Sequence, residues 1–510
     1  MNMYKEEVLL GIDVGATSIK SGIFSLKGEI ISIFQDRNEP EPQHNGKSDW
    51  LIWNGDKIWD KVCSLIKKSL QNISSNTLVK SLSVTGFGAD GTPMDKDGRQ
   101  LYPFISWHDN RTIPQRDWFD LKIDPYEIYK ITGYHNYHIN TINKLRWLRE
   151  NHPEVLKNTY KWLMMQDFIV YKLTGEFTTE HTIASTMMSM DLEMRKWSEK
   201  LLEIAEIDKD IFPELSLPGT VIGHVTSKAS EETGLSSGTP VSAGGHDCEI
   251  GVVGSGISMG ETFVDITGTW EMIIAIMDRF LPERQLFDYG IDFECHTIPG
   301  QYLCQSLMIA GGVVEWVREN FYSASSPDEA YNQMIAEAEK EEIGSGGVVI
   351  IPSFMEKMGP FRKFNTMGTF LGLTTTTSRS QIIRAVFESL CYQLRQQIKI
   401  IEGHSGIKCR KLRVLGGAQK NPFWLKLKAD VTGIPVEIIS LEEVTLLGTA
   451  ILAGIGVGIY KDIEDAFNRI NYSTENYQPD KENTEKYENL YEKIFKKIPE
   501  SLKNVYFNYL

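Results

Sequence analysis

Two short segments, far apart in the chain, carry the same series of roles, and such a pair restricts the fold to one built from two related halves. Residues 11–18 read GIDVGATS and residues 263–270 read FVDITGTW. Each brings an apolar strand up to an aspartate (Asp13 or Asp265), continues with small residues, and sets a threonine (Thr17 or Thr269) four positions on. A further apolar run follows in both, over residues 19–26 and 272–277. The pattern predicts strand, tight turn, strand. The tip of such a hairpin offers backbone N–H groups, hydroxyls and a carboxylate, a set suited to phosphate oxygens. Either hairpin alone also reads as an ordinary turn; the spaced pair points to a duplicated fold closing around a nucleotide.

At 510 residues the chain exceeds one hydrophobic core and suits two domains of about 250 residues each. The glycine-rich stretch from Gly244 to Gly256 is the natural break, giving domains 1–254 and 255–510. A net charge of −15 argues against non-specific nucleic-acid binding. A nucleotide would then be held by backbone amides and a metal rather than by a basic surface. The six cysteines are scattered, without zinc spacing or a disulfide framework. No apolar run approaches about 18 residues, so no membrane span is expected. The N-terminus is short and charged, and a reduced, cytoplasmic protein is the expectation.

Residues 8–36 alternate as three strands, residues 56–70 carry apolar side chains at helical spacing, and residues 79–85 form a strand. This order predicts a mixed sheet flanked by helices. Residues 153–173 read as helical, and residues 241–243 as a short strand stopping at Gly244-Gly245-His246-Asp247. In the second half, helices are predicted over 378–401 and 421–432, strands over 411–415 and 436–439, and a charged helix over 481–497.

Asp247 is the strongest candidate for chemistry. It follows a strand end and two glycines, where a carboxylate can take a proton from a substrate hydroxyl; a helix cap is the alternative. His246 beside it reads as a substrate hydrogen-bonding group or as a satisfied buried histidine. Asp13 suits a hydrated Mg²⁺, which takes few carboxylates plus waters and phosphate oxygens, or else simply initiates a turn. Thr17, Ser18 and Lys20 are placed to donate to phosphate, or to line an exposed hairpin edge. Gly416-Gly417, before Asn421, and Gly311-Gly312 leave backbone bare, as a flat purine or a tight βα turn would require. There is no G-x-x-x-x-G-K-[ST] loop and no protein-kinase motif set. Asp95 to Gly98 begins like a calcium loop but lacks the later ligands and reads as a hairpin turn.

Taken in order, the segments 13–20, 85–90, 107–112, 244–247, 267–270, 311–316 and 416–421 resemble the FGGY family of carbohydrate kinases, within the actin-like ATPase superfamily. The resemblance covers essentially the whole chain. It implies an α/β, two-domain actin-like (ribonuclease H-like) fold, with a duplicated mixed β-sheet flanked by helices and a central cleft. It further implies an N-terminal sugar-binding domain, a C-terminal nucleotide-binding domain, and ATP with Mg²⁺. By motif, Asp247 resembles the family's catalytic base and Asp13 its metal-side carboxylate. Thr17 and Thr269 match phosphate contacts, Gly311, Gly417 and Asn421 the nucleotide pocket, and Asp90, Trp107, Arg111 and His246 the sugar side. Some members carry Arg where this chain has Lys20. Residues 101–107, 140–153, 173–179 and 268–271 are most similar to the members that phosphorylate L-fuculose, while Asp109 fits the wider family's W-x-D-x-R pattern. The resemblance thus implies a small-molecule sugar as the partner, L-fuculose first, with xylulose, rhamnulose or ribulose as alternatives. A non-catalytic nucleotide-binding regulator is the rival from another class, and a homodimer is left open.

Overall fold

The computed structural model describes residues 6–507 except 45, 48, 324, 355–363, 365 and 442. It separates into two compact units. Unit 1 comprises residues 1–258, 293–302 and 441–472; unit 2 comprises 259–292, 303–440 and 473–510. The break near residue 255 read from the glycines falls close to the end of the first run of unit 1. Two further stretches, 293–302 and 441–472, return to that unit.

Unit 1 is built on β1 (Glu6–Val14), β2 (Ser18–Ser25), β3 (Ile30–Arg37), the helix α1 (Gly55–Gln71), β4 (Thr77–Gly86), β5 (Val221–His224), β6 (Pro240–His246) and the helix α2 (Asp247–Gly254). The sheet order is β3-β2-β1-β4-β6-β5. β1 runs antiparallel to β2 and parallel to β4, with Asp13 opposite Lys20 on one side and Thr85 on the other. As a central strand β1 is buried on both faces, which explains its nearly continuous apolar run. Alternate residues go to opposite sides. Val8, Leu10, Ile12 and Val14 pack with Ile58, Trp59, Val62 and Ile66 of α1. Leu9 instead packs with Leu446, Leu447 and Ala450 of the helix Val444–Gly456. α1 starts where Asn54 accepts the Lys57 N–H at 3.2 Å, with Asp56 in its first turn favouring the N-terminal dipole.

Glycines fix the placement of α2. A Cβ at Gly254 would lie 1.7 Å from the Val444 carbonyl oxygen, and one at Gly448 would lie 2.1 Å from that of Ile250. The two helices therefore touch backbone to backbone, and the glycines near residue 250 serve helix packing. A Cβ at Gly244 would come 1.8 Å from the Val84 oxygen, so this glycine is required by the neighbouring strand β4 rather than by a ligand.

Unit 2 repeats the plan with β7 (Thr262–Thr267), β8 (Trp270–Met277), β9 (Tyr302–Ile309), α3 (Gly311–Phe321), α4 (Arg379–Ser405), β10 (Lys411–Leu415), α5 (Pro422–Thr432), β11 (Val436–Ile439) and β12 (Thr474–Tyr477). Six strands of its sheet run β9-β8-β7-β10-β11-β12. β7 is antiparallel to β8 and parallel to β10, as β1 is to β2 and β4. The outer pairs β6–β5 and β11–β12 are both antiparallel. α4 opens with a capping box, Ser378 Oγ accepting the Gln381 N–H and Gln381 returning to the Ser378 N–H, each at 3.1 Å.

Two local readings change. Residues 153–173 are not continuously helical: Lys161–Met164 is a strand, because it pairs with Gly91–Met94. The helix expected over 481–497 ends at Lys493, with a short 3₁₀ turn beyond it. Asp95 to Gly98 is a turn, the Gly98 N–H reaching the Asp95 carbonyl at 3.1 Å. Among the described residues, no helix is long and apolar enough to cross a membrane.

Candidate active site

Asp13 is next to last in β1, on the face that carries Leu9 and Gly11, toward the start of the 444–456 helix; a Cβ at Gly11 would sit 2.7 Å from the Leu446 oxygen. Its side chain is 8% exposed, and Oδ1 is buried without a hydrogen-bond partner among the described residues. Burial, then the neighbouring charge of Asp247, raises its carboxyl pKa to about 7, against the pull of Lys20. A buried carboxylate oxygen left unpaired is costly. A cation at this point would satisfy it, so Asp13 fits a Mg²⁺-side ligand. At the tip beyond it, Thr17 is exposed and Ser18 half-buried. Lys20 is turned to Glu443, Nζ to Oε2 at 2.7 Å.

Asp247 is the first residue of α2, with His246 at the cap position. Its Oδ1 accepts the Cys248 N–H at 2.7 Å, and its side chain is 26% exposed. It therefore keeps access to a ligand while its backbone is held by the α2 packing. His246 is buried; its backbone N–H bonds Thr182 Oγ1 at 2.9 Å, and its Nδ1 meets Glu294 Oε2 at 2.8 Å.

The expected sugar-side residues divide. Asp90 is fully buried, accepting from Trp53 Nε1 at 2.7 Å and from the Trp107 N–H at 2.9 Å, and it pairs with Lys144. Its carboxylate thereby fixes the loop that presents Trp107. Trp107 is half-buried and stacks on His108 with ring centroids 3.7 Å apart. Arg111 bonds Asp109 through Nε (2.9 Å) and one terminal nitrogen (2.6 Å), and Gln43 through the other (2.7 Å). It also lies 4.1 Å above the Trp50 ring. Asp90 and Arg111 are thus held in internal networks, while Trp107 and His246 border the loop between β4 and Gly91. A Cβ on Gly88 of that loop would lie 3.0 Å from His246 Nε2.

In unit 2 a cavity of about 760 Å³ is lined by Thr269, Gly311, Gly417 and Asn421, together with Glu315, Tyr331 and Trp424. Its size and mixed apolar and polar wall suit a nucleotide. The Gly311 N–H bonds the Gly268 oxygen at 3.1 Å, and a Cβ there would stand 2.3 Å from that oxygen. Only a glycine lets α3 begin against the hairpin tip. Asn421 caps α5, its Oδ1 accepting the Trp424 N–H at 3.0 Å. Behind this wall, Lys428 is fully buried. Its Nζ donates to Asp265 Oδ2, to Thr267 Oγ1 (2.7 Å) and to Glu271 Oε1 (2.5 Å). Burial and the nearby Asp265 charge raise Glu271 to about 7, Lys428 opposing them, while the two carboxylates hold the lysine charged.

Lys428, Lys144, Glu443 and Glu294 escape a motif reading, because each joins the site through a long-range pairing with no local signature. Lys428 stands two residues from Lys426 in the predicted helix 421–432, and nothing local marks which of the two is buried.

Two family models match the chain: the N-terminal domain of the FGGY family of carbohydrate kinases over residues 8–254, and its C-terminal domain over residues 265–457. The L-fuculokinase of Escherichia coli (strain K12) is 30% identical over 479 residues, 94% of this chain and 98% of the relative. A xylulose kinase of Staphylococcus epidermidis is 26% identical, covering 96% of this chain and 97% of the relative. Among solved structures, the xylulose kinase from Rhodospirillum rubrum superposes with a TM-score of 0.88 at 22% identity, covering 98% of this chain and all of that one.

Proposed function

The chain belongs to the FGGY family of carbohydrate kinases and is an ATP-dependent sugar kinase, and from that premise we propose that it transfers the γ-phosphoryl group of ATP to a hydroxyl of L-fuculose, giving L-fuculose 1-phosphate. The observation that carries the mechanism is the pairing of a partly exposed Asp247 with a buried, unsatisfied Asp13 in the same unit. The choice of sugar is supported by the likeness to the E. coli L-fuculokinase.

Phosphoryl transfer asks mainly for positioning and charge stabilisation. Asp247 is assigned as the base: it takes the hydroxyl proton as the sugar oxygen bonds to the γ-phosphorus and the bond to the β-phosphate oxygen breaks. Asp13 is assigned to hold the cation. A Mg²⁺ bound there with the nucleotide would supply charge neutralisation at the phosphate oxygens. Thr17, Ser18, Lys20 and Thr269 are assigned to the phosphates, and Gly311, Gly417 and Asn421 to the adenine end. On the sugar side, Trp107 offers a flat face to C–H surface and His246 a donor. Asp90 and Arg111 act there by holding the loop that carries Trp107.

The test is sugar-dependent ADP release with L-fuculose, D-xylulose, L-rhamnulose, D-ribulose and glycerol. L-fuculose is expected to give the highest kcat/KM, since a site built to bond one set of hydroxyls leaves its own groups unpaired with another. D-xylulose ahead by tenfold or more would transfer the assignment to the ketose of the second relative.

A further inference from the structure

Glu294 is a buried acid that neither hairpin nor glycine turn accounts for. It stands on the stretch 293–302, which unit 1 receives from between two runs of unit 2. Its Oε2 lies 2.8 Å from His246 Nδ1, and its Oε1 accepts the Tyr134 hydroxyl at 3.1 Å. The other ring nitrogen, His246 Nε2, lies 3.4 Å from Asp247 Oδ1. The connected line Tyr134, Glu294, His246, Asp247 thus ends on the assigned base.

We propose that Glu294 is a positioning residue for phosphoryl transfer: it holds the His246 ring as a cation whose Nε2 side lies beside Asp247 Oδ1, which keeps that carboxylate oriented toward the sugar hydroxyl. This rests on the reading of Asp247 as the base. A carboxylate at one ring nitrogen decides which proton the other presents. A neutral ring tied through Nδ1–H to Glu294 would turn the Nε2 lone pair on Asp247, replacing a donor by repulsion. The doubly protonated ring avoids this.

The charges around the ring agree. Glu294, Asp247, Glu249 and Glu180 all act on it. Glu180 is engaged with the Thr182 and Ile183 N–H groups, both at 2.6 Å, and Glu249 with the Thr297 N–H at 3.0 Å. Glu294 is the member that bonds the ring. Burial would drive the proton off, but Glu294, then Asp247 and Glu249, outweigh it and lift His246 to about 9.

The experiment is the pH profile of kcat for the intact enzyme, Glu294→Gln and Glu294→Asp, with KM for ATP measured alongside. Wild type should stay level until near pH 9 on the alkaline side. Glu294→Gln should lower kcat by about tenfold or more, leave KM for ATP within about twofold, and bring the alkaline limb down by at least about one pH unit. Glu294→Asp should restore most of the limb. A role in packing alone would lower kcat without moving the limb, and that result overturns the proposal. Asp247→Asn separates the two readings. If it retains wild-type turnover, the base assignment falls. If it is inactive while Glu294→Gln keeps the wild-type kcat and limb, only the present inference falls. Should Glu294→Gln fail to fold, histidine ¹⁵N NMR of the wild type decides, with His246 assigned by difference from His246→Asn. A doubly protonated His246 ring at pH 8 supports the proposal, and a neutral one overturns it.

Discussion

Asp13 and Asp265 occupy the same place in two hairpins of the same topology, each at the end of a strand paired antiparallel to the next and parallel to the one beyond a helix. Behind Asp13 stands the 444–456 helix, which brings Leu446 to Gly11 and leaves Asp13 Oδ1 buried without a partner among the described residues. Behind Asp265 stands α5, which brings Lys428, and the carboxylate is locked together with Thr267 and Glu271. The backbone is duplicated while the charge is not. An aspartate with a buried oxygen unpaired among the described residues is available to a cation; one closed on a buried lysine holds the hairpin against the helix that walls the cavity of unit 2. The difference teaches that the hairpin motif gives a shape, and that the side chain packed behind it gives the role.

The largest effect tests whether chemistry belongs to the first unit. Asp247→Asn should cost about 10²–10⁴ in kcat while ATP still binds, because a base acts on the hydroxyl and not on adenine. Retention of more than about half of wild-type kcat would remove Asp247 from the mechanism and, with it, the asymmetry between the units. Next comes the lock. Lys428→Met leaves two carboxylates buried without their cation, and breaking such a cluster costs about 3–5 kcal/mol of stability. Thermal or denaturant unfolding reads this directly, and a loss below about 1 kcal/mol would show that Asp265 is not held as described. Asp13→Asn is the reciprocal. It removes a charge whose oxygen has no partner to lose, so stability should hold within about 1 kcal/mol while kcat falls by about 10²-fold through lost charge stabilisation. A variant that instead unfolds with kcat preserved would make Asp13 a second structural lock.

The elements with a strong local period were legible in sequence. The strands 411–415 and 436–439 appear as read, and α1 and α5 differ by a residue at their ends. Their signals are caps, glycines and apolar spacing, all local. What was hidden is long-range. Nothing near residue 294 announces that it meets His246. Nothing in residues 441–472 says that they pack on β1 rather than beside β11, although the apolar helix there pairs its Gly448 with Gly254 of α2. The strand Lys161–Met164 was read as helix because its partner, Gly91–Met94, lies in another part of the chain. Of the seven residues read as nucleotide contacts, Thr269, Gly311, Gly417 and Asn421 line one cavity, while Thr17, Ser18 and Lys20 lie on the hairpin of unit 1. Asp90 and Arg111 were found as residues, and Asp109 as part of the W-x-D-x-R pattern, but Lys144 and the two pairings Asp90–Lys144 and Asp109–Arg111 were not, since a buried ion pair leaves no periodic trace.

The smallest effect separates two glycines of the cavity wall. At Gly311 a Cβ would stand 2.3 Å from the Gly268 oxygen, so a side chain there displaces the second hairpin itself. At Gly417 the nearest atom to a Cβ is the Thr267 oxygen, 3.8 Å away, so the backbone accepts a side chain and the cavity receives it. Gly417→Leu should therefore fold normally and raise KM for ATP by about tenfold, roughly 1.4 kcal/mol, while KM for sugar stays within about twofold. Gly311→Leu should lower thermal stability as well, because the contact it breaks belongs to the protein and not to the ligand. If Gly417→Leu left KM for ATP unchanged in a folded enzyme, adenine would not lie against Gly417. If instead KM for sugar rose in parallel, the proposed division of labour between a first unit that selects the sugar and a second that carries the nucleotide would fail at the turn after β10, outside either hairpin.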